Sequence, residues 1–254
     1  MYPLTYILII FSLVFLPENT TWVYKLEVND KEIIFQWMYH VGTNWYYEKV
    51  INNIKKYREK WYTIVYEGIK MEQSNSWSLV SDELEQIFQG TDFLKNKYLL
   101  YEWDVIWWNV LTSQDLNIDI TSSEIEDLFH QKQNNKQKPE WNNLQFNANM
   151  NHLWNEFIHK IKQNYITYFD YKLIVLHYNL WLFISENSVN NKSIIDSILK
   201  DYRDEYLYNE VMKLDDKKIF IIYWEWHIEW FYNHVKYNTD SYIEKIQELK
   251  PFEL

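Results

Sequence analysis

The chain reads as an α/β protein. Three observations predict this class. Short β-branched and aromatic runs alternate with segments of helical spacing. The first elements follow the order strand, helix, strand. Two of the apolar runs end near a histidine in the same local setting, one close to each end of the chain. The chain begins and ends with a strand, turn and helix carrying one histidine each, the pattern that a distant internal duplication would leave.

Residues 1–21 form an apolar N-terminal segment. Its run from Leu4 to Leu16 is broken by Thr5 and Ser12 and ends at Pro17-Glu18-Asn19. It is shorter than the roughly 20 residues that span a bilayer, and no Lys or Arg precedes it. Three readings stay open: the stub of a membrane anchor, an atypical signal peptide, or a buried first element. The first gives a membrane-associated protein with membrane contact through its N-terminus; the last leaves a cytoplasmic one.

A single domain is expected over residues 22–240. Runs at 23–28 and 32–36 read as two strands around the turn Asn29-Asp30. Residues 44–60 read as an amphipathic helix, with Tyr47, Val50, Ile51, Ile54 and Tyr57 on one stripe. A short strand at 62–66 runs into Glu67-Gly68. Ser81 caps an acidic turn, Asp82-Glu83, before another helix. A strand is expected at 98–101. Thr121 and Glu124 have capping-box spacing and open a helix over about 122–131. Residues 132–149 form a polar loop containing Pro139, and 150–214 are mostly helical. A strand at 218–223 and a helix at 228–236 follow. Residues 241–254 are set apart as a C-terminal tail.

Composition excludes several functions. The formal net charge is -11, and no basic cluster interrupts the acidity. Nucleic acid is therefore not an expected partner, since phosphate binding needs Lys and Arg footprints. With no cysteine there is no disulfide, thiolate metal site or cysteine nucleophile. No phosphate loop, dinucleotide fingerprint or serine elbow is present.

The glycine count is anomalous. The chain has 14 Trp and only 3 Gly, where about 18 Gly would be ordinary for this length. Asn, Ile, Lys and Tyr are abundant, and Ala148 is the sole alanine, as in an AT-rich gene. Some bacterial lineages read the UGA codon as glycine, whereas the commoner reassignment gives Trp. The expectation is that several Trp here stand for glycine. Trp37, Trp61, Trp103, Trp107, Trp108, Trp181, Trp224 and Trp226 are candidates. Trp37, Trp224 and Trp226 are expected to be structural turn positions.

The chemistry centres on two histidines. His40 follows Gln36-Trp37-Met38-Tyr39, and His227 follows Tyr223-Trp224-Glu225-Trp226. Each has a Trp three residues before it; with glycine there, both become Gly-x-x-His. Glycine lets a chain turn where a strand ends, and the imidazole then enters the crevice at the carboxyl end of the sheet. Neutral imidazole is a common metal ligand. Glu67 ends the strand of the first βαβ unit, so His40 and Glu67 project from one edge if those strands are parallel neighbours. A His with a carboxylate makes part of a metal site or an acid–base pair. Arg203, among acids in Asp201-Tyr202-Arg203-Asp204-Glu205, can pair with a carboxylate or hold an oxyanion.

These segments resemble the TraB/Tiki-like superfamily, which includes haem-binding ChaN-like and erythromycin-esterase-like proteins. The resemblance is carried by 33–69 with His40 and Glu67, by Asn117-Ile118-Asp119-Ile120-Thr121, and by Asp201-Tyr202-Arg203-Asp204 through His227. It spans about residues 22–237; each motif alone is weak, and Trp37 and Trp224 depart from the pattern. It implies an α/β fold of two related βαβ-type halves, with mixed sheet and helices, facing a central polar cleft, and a metal-dependent hydrolase of the membrane-associated peptidase type, acting on a peptide or small-molecule substrate. His40, Glu67 and His227 would be the metal positions, with Glu67 and Arg203 catalytic. The cofactor implied is a divalent metal ion. The alternatives are a non-catalytic protein binding haem or another small ligand through His40 or His227, and a membrane-tethered interaction protein without an active site.

Overall fold

A computed structural model describes residues 20–70, 98–107, 109–134, 167–168, 170–172, 174–175, 197–238 and 241–253. The helix expected after Ser81, residues 135–149 of the loop expected over 132–149, most of 150–196, residues 1–19, Trp108, Trp181 and the side chain of Trp226 lie outside the described residues, while residues 132–134 extend the preceding helix instead of opening that loop. Among the described residues no helix is long and apolar enough to cross a membrane.

The class is mixed α/β. In chain order the elements are β1 (Thr21–Val28), β2 (Lys31–Met38), β3 (Val41–Gly42), α1 (Asn44–Glu59), β4 (Thr63–Tyr66), β5 (Leu100–Tyr101), β6 (Leu116–Asn117), α2 (Ser122–Asn134), α3 (Arg203–Lys213), β7 (Lys218–Trp224), α4 (Glu225–Asn238) and β8 (Ser241–Leu249). Short π-helical turns at Trp103–Trp107 and Ile198–Tyr202 precede β6 and α3. Among the described residues six strands form one sheet in the order β6-β4-β7-β2-β1-β8, while β3 and β5 pair separately. Strands β6, β4, β7 and β2 run parallel; β1 is antiparallel to both β2 and β8.

Alternation along β2 and β7 divides the core. Ile33, Phe35, Ile219, Ile221 and Tyr223 face α3 and α4, packing with Leu207, Val211, Phe231 and Val235. Ile34, Met38, Phe220 and Ile222 face α1, packing with Tyr46, Tyr47, Val50 and Ile54. Strands buried on both faces become continuous apolar runs, which is why these two are plain in the sequence. The capping box forms as expected: Glu124 N–H donates to Thr121 Oγ1 at 3.1 Å, and Thr121 N–H to Glu124 Oε2 at 2.7 Å.

Three expectations are corrected. Strands β2 and β4 are parallel but not neighbours; β7 lies between them. Residues 241–249 are no tail but the edge strand β8, paired with the whole of β1. Trp37 and Trp224 are not turn positions either. Trp37 lies within β2 and Trp224 ends β7, and neither has a positive φ. They are not equivalent positions, because Trp37 pairs with Tyr223 and Met38 with Trp224. Trp226 falls in the first turn of α4.

One tryptophan does occupy a glycine conformation. Past the C-cap of α1, Trp61 N–H donates to the Arg58 carbonyl and Tyr62 N–H to the Tyr57 carbonyl, each at 3.0 Å. This is a Schellman turn, and its left-handed position is usually glycine. Trp61 holds it with φ 65 and is 90% exposed. A side chain in this region costs about 1–2 kcal/mol, and here no burial offsets it. Trp61→Gly is expected to raise the urea midpoint, with a gain of about 1 kcal/mol after the entropy glycine adds to the unfolded chain. A lower midpoint would show that the indole supports the turn.

Candidate functional site

The carboxyl ends of β2, β7 and β4 converge, and the chemistry lies where they meet. Glu67 directly follows β4, and its N–H still donates to Ile222 of β7 at 3.1 Å. His227 lies in the first turn of α4, 2% exposed. His40 lies between β2 and β3 with a side chain 20% exposed. The structure therefore brings together Glu67, Arg203 and His227 by direct contact. His40 enters through the field that Glu67 exerts on it.

Arg203 opens α3 and holds the centre. Its Nε donates to Asp119 Oδ1 at 2.8 Å, and its Nη2 to Asp119 Oδ2 at 2.5 Å and Glu67 Oε1 at 2.6 Å. Its Nη1 lies 3.5 Å from the Leu199 carbonyl. Guanidinium geometry suits this two-point grip on one carboxylate. Glu67 Oε2 accepts the Trp224 backbone N–H at 2.6 Å. The Nε hydrogen and both Nη2 hydrogens of Arg203 are taken by Asp119 and Glu67, so this edge of the guanidinium serves the cluster itself rather than an oxyanion.

Each histidine is held at Nδ1 by a buried carboxylate at 2.6 Å: His227 by Asp204 and His40 by Glu102. His227 Nε2 also lies 3.4 Å from Glu67 Oε1. Glu102 reaches His40 through the small β3–β5 ladder, which pairs Val41 with Tyr101 and Gly42 with Leu100. The ladder continues as Glu102 N–H donates to the His40 carbonyl at 3.1 Å. The rings of Trp224 and Trp103 stand beside the His40 imidazole, at centroid distances of 4.5 and 6.0 Å.

Glu102, Asp119 and Asp204 were not singled out as site residues. Asp204 reads as one more acid in the first turn of a helix, and Glu102 sits in Tyr101-Glu102-Trp103 with no motif around it. Asp119 carried a signal within Asn117-Ile118-Asp119-Ile120-Thr121, a polar residue between two isoleucines that are both buried.

Electrostatics raises both histidines. Burial opposes charge on His227, but Glu67 and the hydrogen bond to Asp204 overcome it and push its pKa up to about 9. Burial likewise opposes ionisation of Glu67, yet Arg203, then His227, hold its carboxyl far below the usual range. His40 is also raised, because Glu102 outweighs its burial. Burial pushes Glu102 and Asp204 up.

A divalent ion held by His40, Glu67 and His227 does not fit this donor set. The Arg203 cation lies 2.6 Å from Glu67 Oε1, and the Trp224 N–H takes Oε2. Among the described residues no group of three His, Asp or Glu side chains is placed to hold a metal. Haem fits no better: both His227 nitrogens face carboxylates, and indoles stand beside the His40 ring. Compared with known proteins, the chain matches no family model, no curated protein and no solved structure.

Two outcomes follow. Because the folded pKa of His227 lies above its unfolded value, its charge stabilises the fold fully below about pH 6.5 and less as pH rises through about 9. The thermal midpoint should therefore fall between those values, and His227→Gln should flatten that slope; an equal slope in the variant would refute the assignment. Calorimetric titration with Zn²⁺ should show no saturable uptake that depends on the histidines. Stoichiometric uptake lost in both His40→Ala and His227→Ala would restore the metal site.

Proposed function

We propose that this chain is a hydrolase working by acid–base catalysis, with His40 as proton acceptor and His227 as a fixed positive charge. The observation that carries the reading is the His40–Glu102 pair. A 2.6 Å bond from Nδ1 to a buried carboxylate fixes the tautomer and leaves Nε2 as the basic nitrogen, on the part-exposed ring. Its partner histidine, gripped by two carboxylates, is committed to the charged form and unsuited to accept a proton.

The steps balance without a further reactant. Water loses a proton to His40 Nε2 and its oxygen attacks a carbonyl carbon. Negative charge grows on the carbonyl oxygen as the water oxygen adds, while His227 stays with its two carboxylates as the charged anchor of the cluster behind the base. The tetrahedral intermediate collapses, and His40 returns its proton to the departing alkoxide or amine. Glu67 acts through His227, keeping it charged, and Glu102 acts through His40. A carbonyl substrate follows from this chemistry; that it is a peptide or a small ester is what the TraB/Tiki-like resemblance supports. The role given to a metal in that resemblance passes here to charged side chains.

A panel of fluorogenic ester and peptide substrates tests the reading. Wild type should turn over at least one, and His40→Ala should lose about 10²–10⁴-fold in kcat, the usual contribution of a positioned base. Glu102→Gln removes the charge that raises His40, so the rising limb of the pH–rate profile should move to lower pH while kcat falls. Turnover unchanged in His40→Ala, or no turnover across the panel by folded protein, would overturn the proposal.

A further inference from the structure

We infer that Asp119 is a positioning residue of this site: by gripping the Arg203 guanidinium at two points, it fixes Glu67 against His227. This deepens the reading above and rests on it. Asp119 is 1% exposed, with both carboxylate oxygens doubly engaged. Oδ1 accepts from Arg203 Nε at 2.8 Å and from its neighbour Ile120 N–H at 2.8 Å. Oδ2 accepts from Arg203 Nη2 at 2.5 Å and from Gly68 N–H at 3.0 Å.

One carboxylate thus holds both the cation that binds Glu67 and the backbone just after Glu67. The strand ends are tied alongside it. Asn117 Nδ2 donates to the Gly68 carbonyl at 2.8 Å, and Lys70 N–H to the Ile120 carbonyl at 3.0 Å. The β4 and β6 ends therefore meet at Asp119, and α3 delivers Arg203 to it.

Geometry decides what the grip accomplishes. A guanidinium held by Nε and Nη2 on one carboxylate keeps only a narrow arc of directions for its remaining Nη2–H. That hydrogen is the one Glu67 takes. A lysine ammonium keeps the charge without the fork and cannot fix direction in this way. Among the described residues the groups facing His227 are Asp204 from α3, Glu67 beyond β4, the Tyr223 ring at 5.3 Å, and the Arg203 charge. Of its two carboxylates, Glu67 is the one whose place depends on Asp119.

The experiment reads His227 and Arg203 by nitrogen NMR on full-length protein labelled at histidine and arginine, with no substrate needed. It therefore stands apart from whether hydrolysis is found. In wild type the Arg203 Nε–H should give a sharp signal protected from exchange. In Asp119→Asn, the His227 titration midpoint should fall by about 1 unit or more, as expected when an ion contact is lost. Arg203→Lys keeps every charge but loses the fork, and should lower the midpoint in the same direction. A fall in Asp119→Asn without one in Arg203→Lys would assign Asp119 only a direct charge effect and overturn the positioning role. So would an unmoved midpoint in both folded variants. If neither variant folds, the wild-type signal decides: an Arg203 Nε–H that exchanges rapidly with water refutes the grip.

Discussion

The site depends on one buried cation. Arg203 is 6% exposed, and Glu67 and Asp119 are 7% and 1% exposed. Removing such charges from water costs several kcal/mol per ion after relaxation, and only close, complete pairing recovers it. Arg203 supplies that pairing twice, to Asp119 through a fork and to Glu67 through the remaining hydrogen. Without it Glu67 would be a buried carboxylate against an imidazole and one backbone N–H. Loss of one member of such a pair typically costs about 3–5 kcal/mol. The same contact keeps Glu67 ionised, and Glu67 in turn keeps His227 charged.

The fold puts this cation where it can act. Because β7 is inserted between β2 and β4, the Glu67 backbone meets β7 directly and the start of α4 arrives beside it. Had β2 and β4 been neighbours, His40 and Glu67 would have adjoined and His227 would have stood outside. The insertion is a long-range pairing, and local apolar periodicity carries no trace of which strand lies beside which. Local features were legible: the apolar runs of β2 and β7, the stripe of α1, and the box at Thr121 and Glu124. Strand β8 was not, because an edge strand with one covered side shows little apolar pattern. Its Glu244, Lys245 and Glu248 are the kind of charges that discourage a further strand from adding there.

Part of the site was legible for a related reason. His40, Glu67, Arg203 and His227 each follow or open a recognisable element. Glu102 becomes a partner of His40 only through a two-residue ladder joining chain segments 62 positions apart. Asp204 becomes a partner of His227 only when the first turns of α3 and α4 are packed together. The chemistry shifts accordingly. Four ligand-like residues read alone suggest a metal; with Glu102, Asp119 and Asp204 added, the same positions form closely paired acids and bases, each cation already held by carboxylates.

The tryptophans divide by physical cause. Among the described tryptophans, Trp61 is the one whose backbone conformation itself asks for glycine, with φ 65 at an exposed helix end. Trp37 makes no such demand. Its ring packs 5.3 Å from Tyr24, yet its indole N–H is buried without a hydrogen-bond partner among the described residues. A polar group left so costs about 1–3 kcal/mol, and this argues about chemistry rather than chain direction. Trp224 differs again. Its backbone N–H serves Glu67, a bond that glycine would make equally well, while its ring stands 4.5 Å from His40. Glycine at 224 would leave the Arg203–Glu67–His227 cluster in place and clear one side of the proposed base. The identity of residue 224 therefore bears on access to His40 and not on the charge balance behind it, and the two can vary independently in this fold.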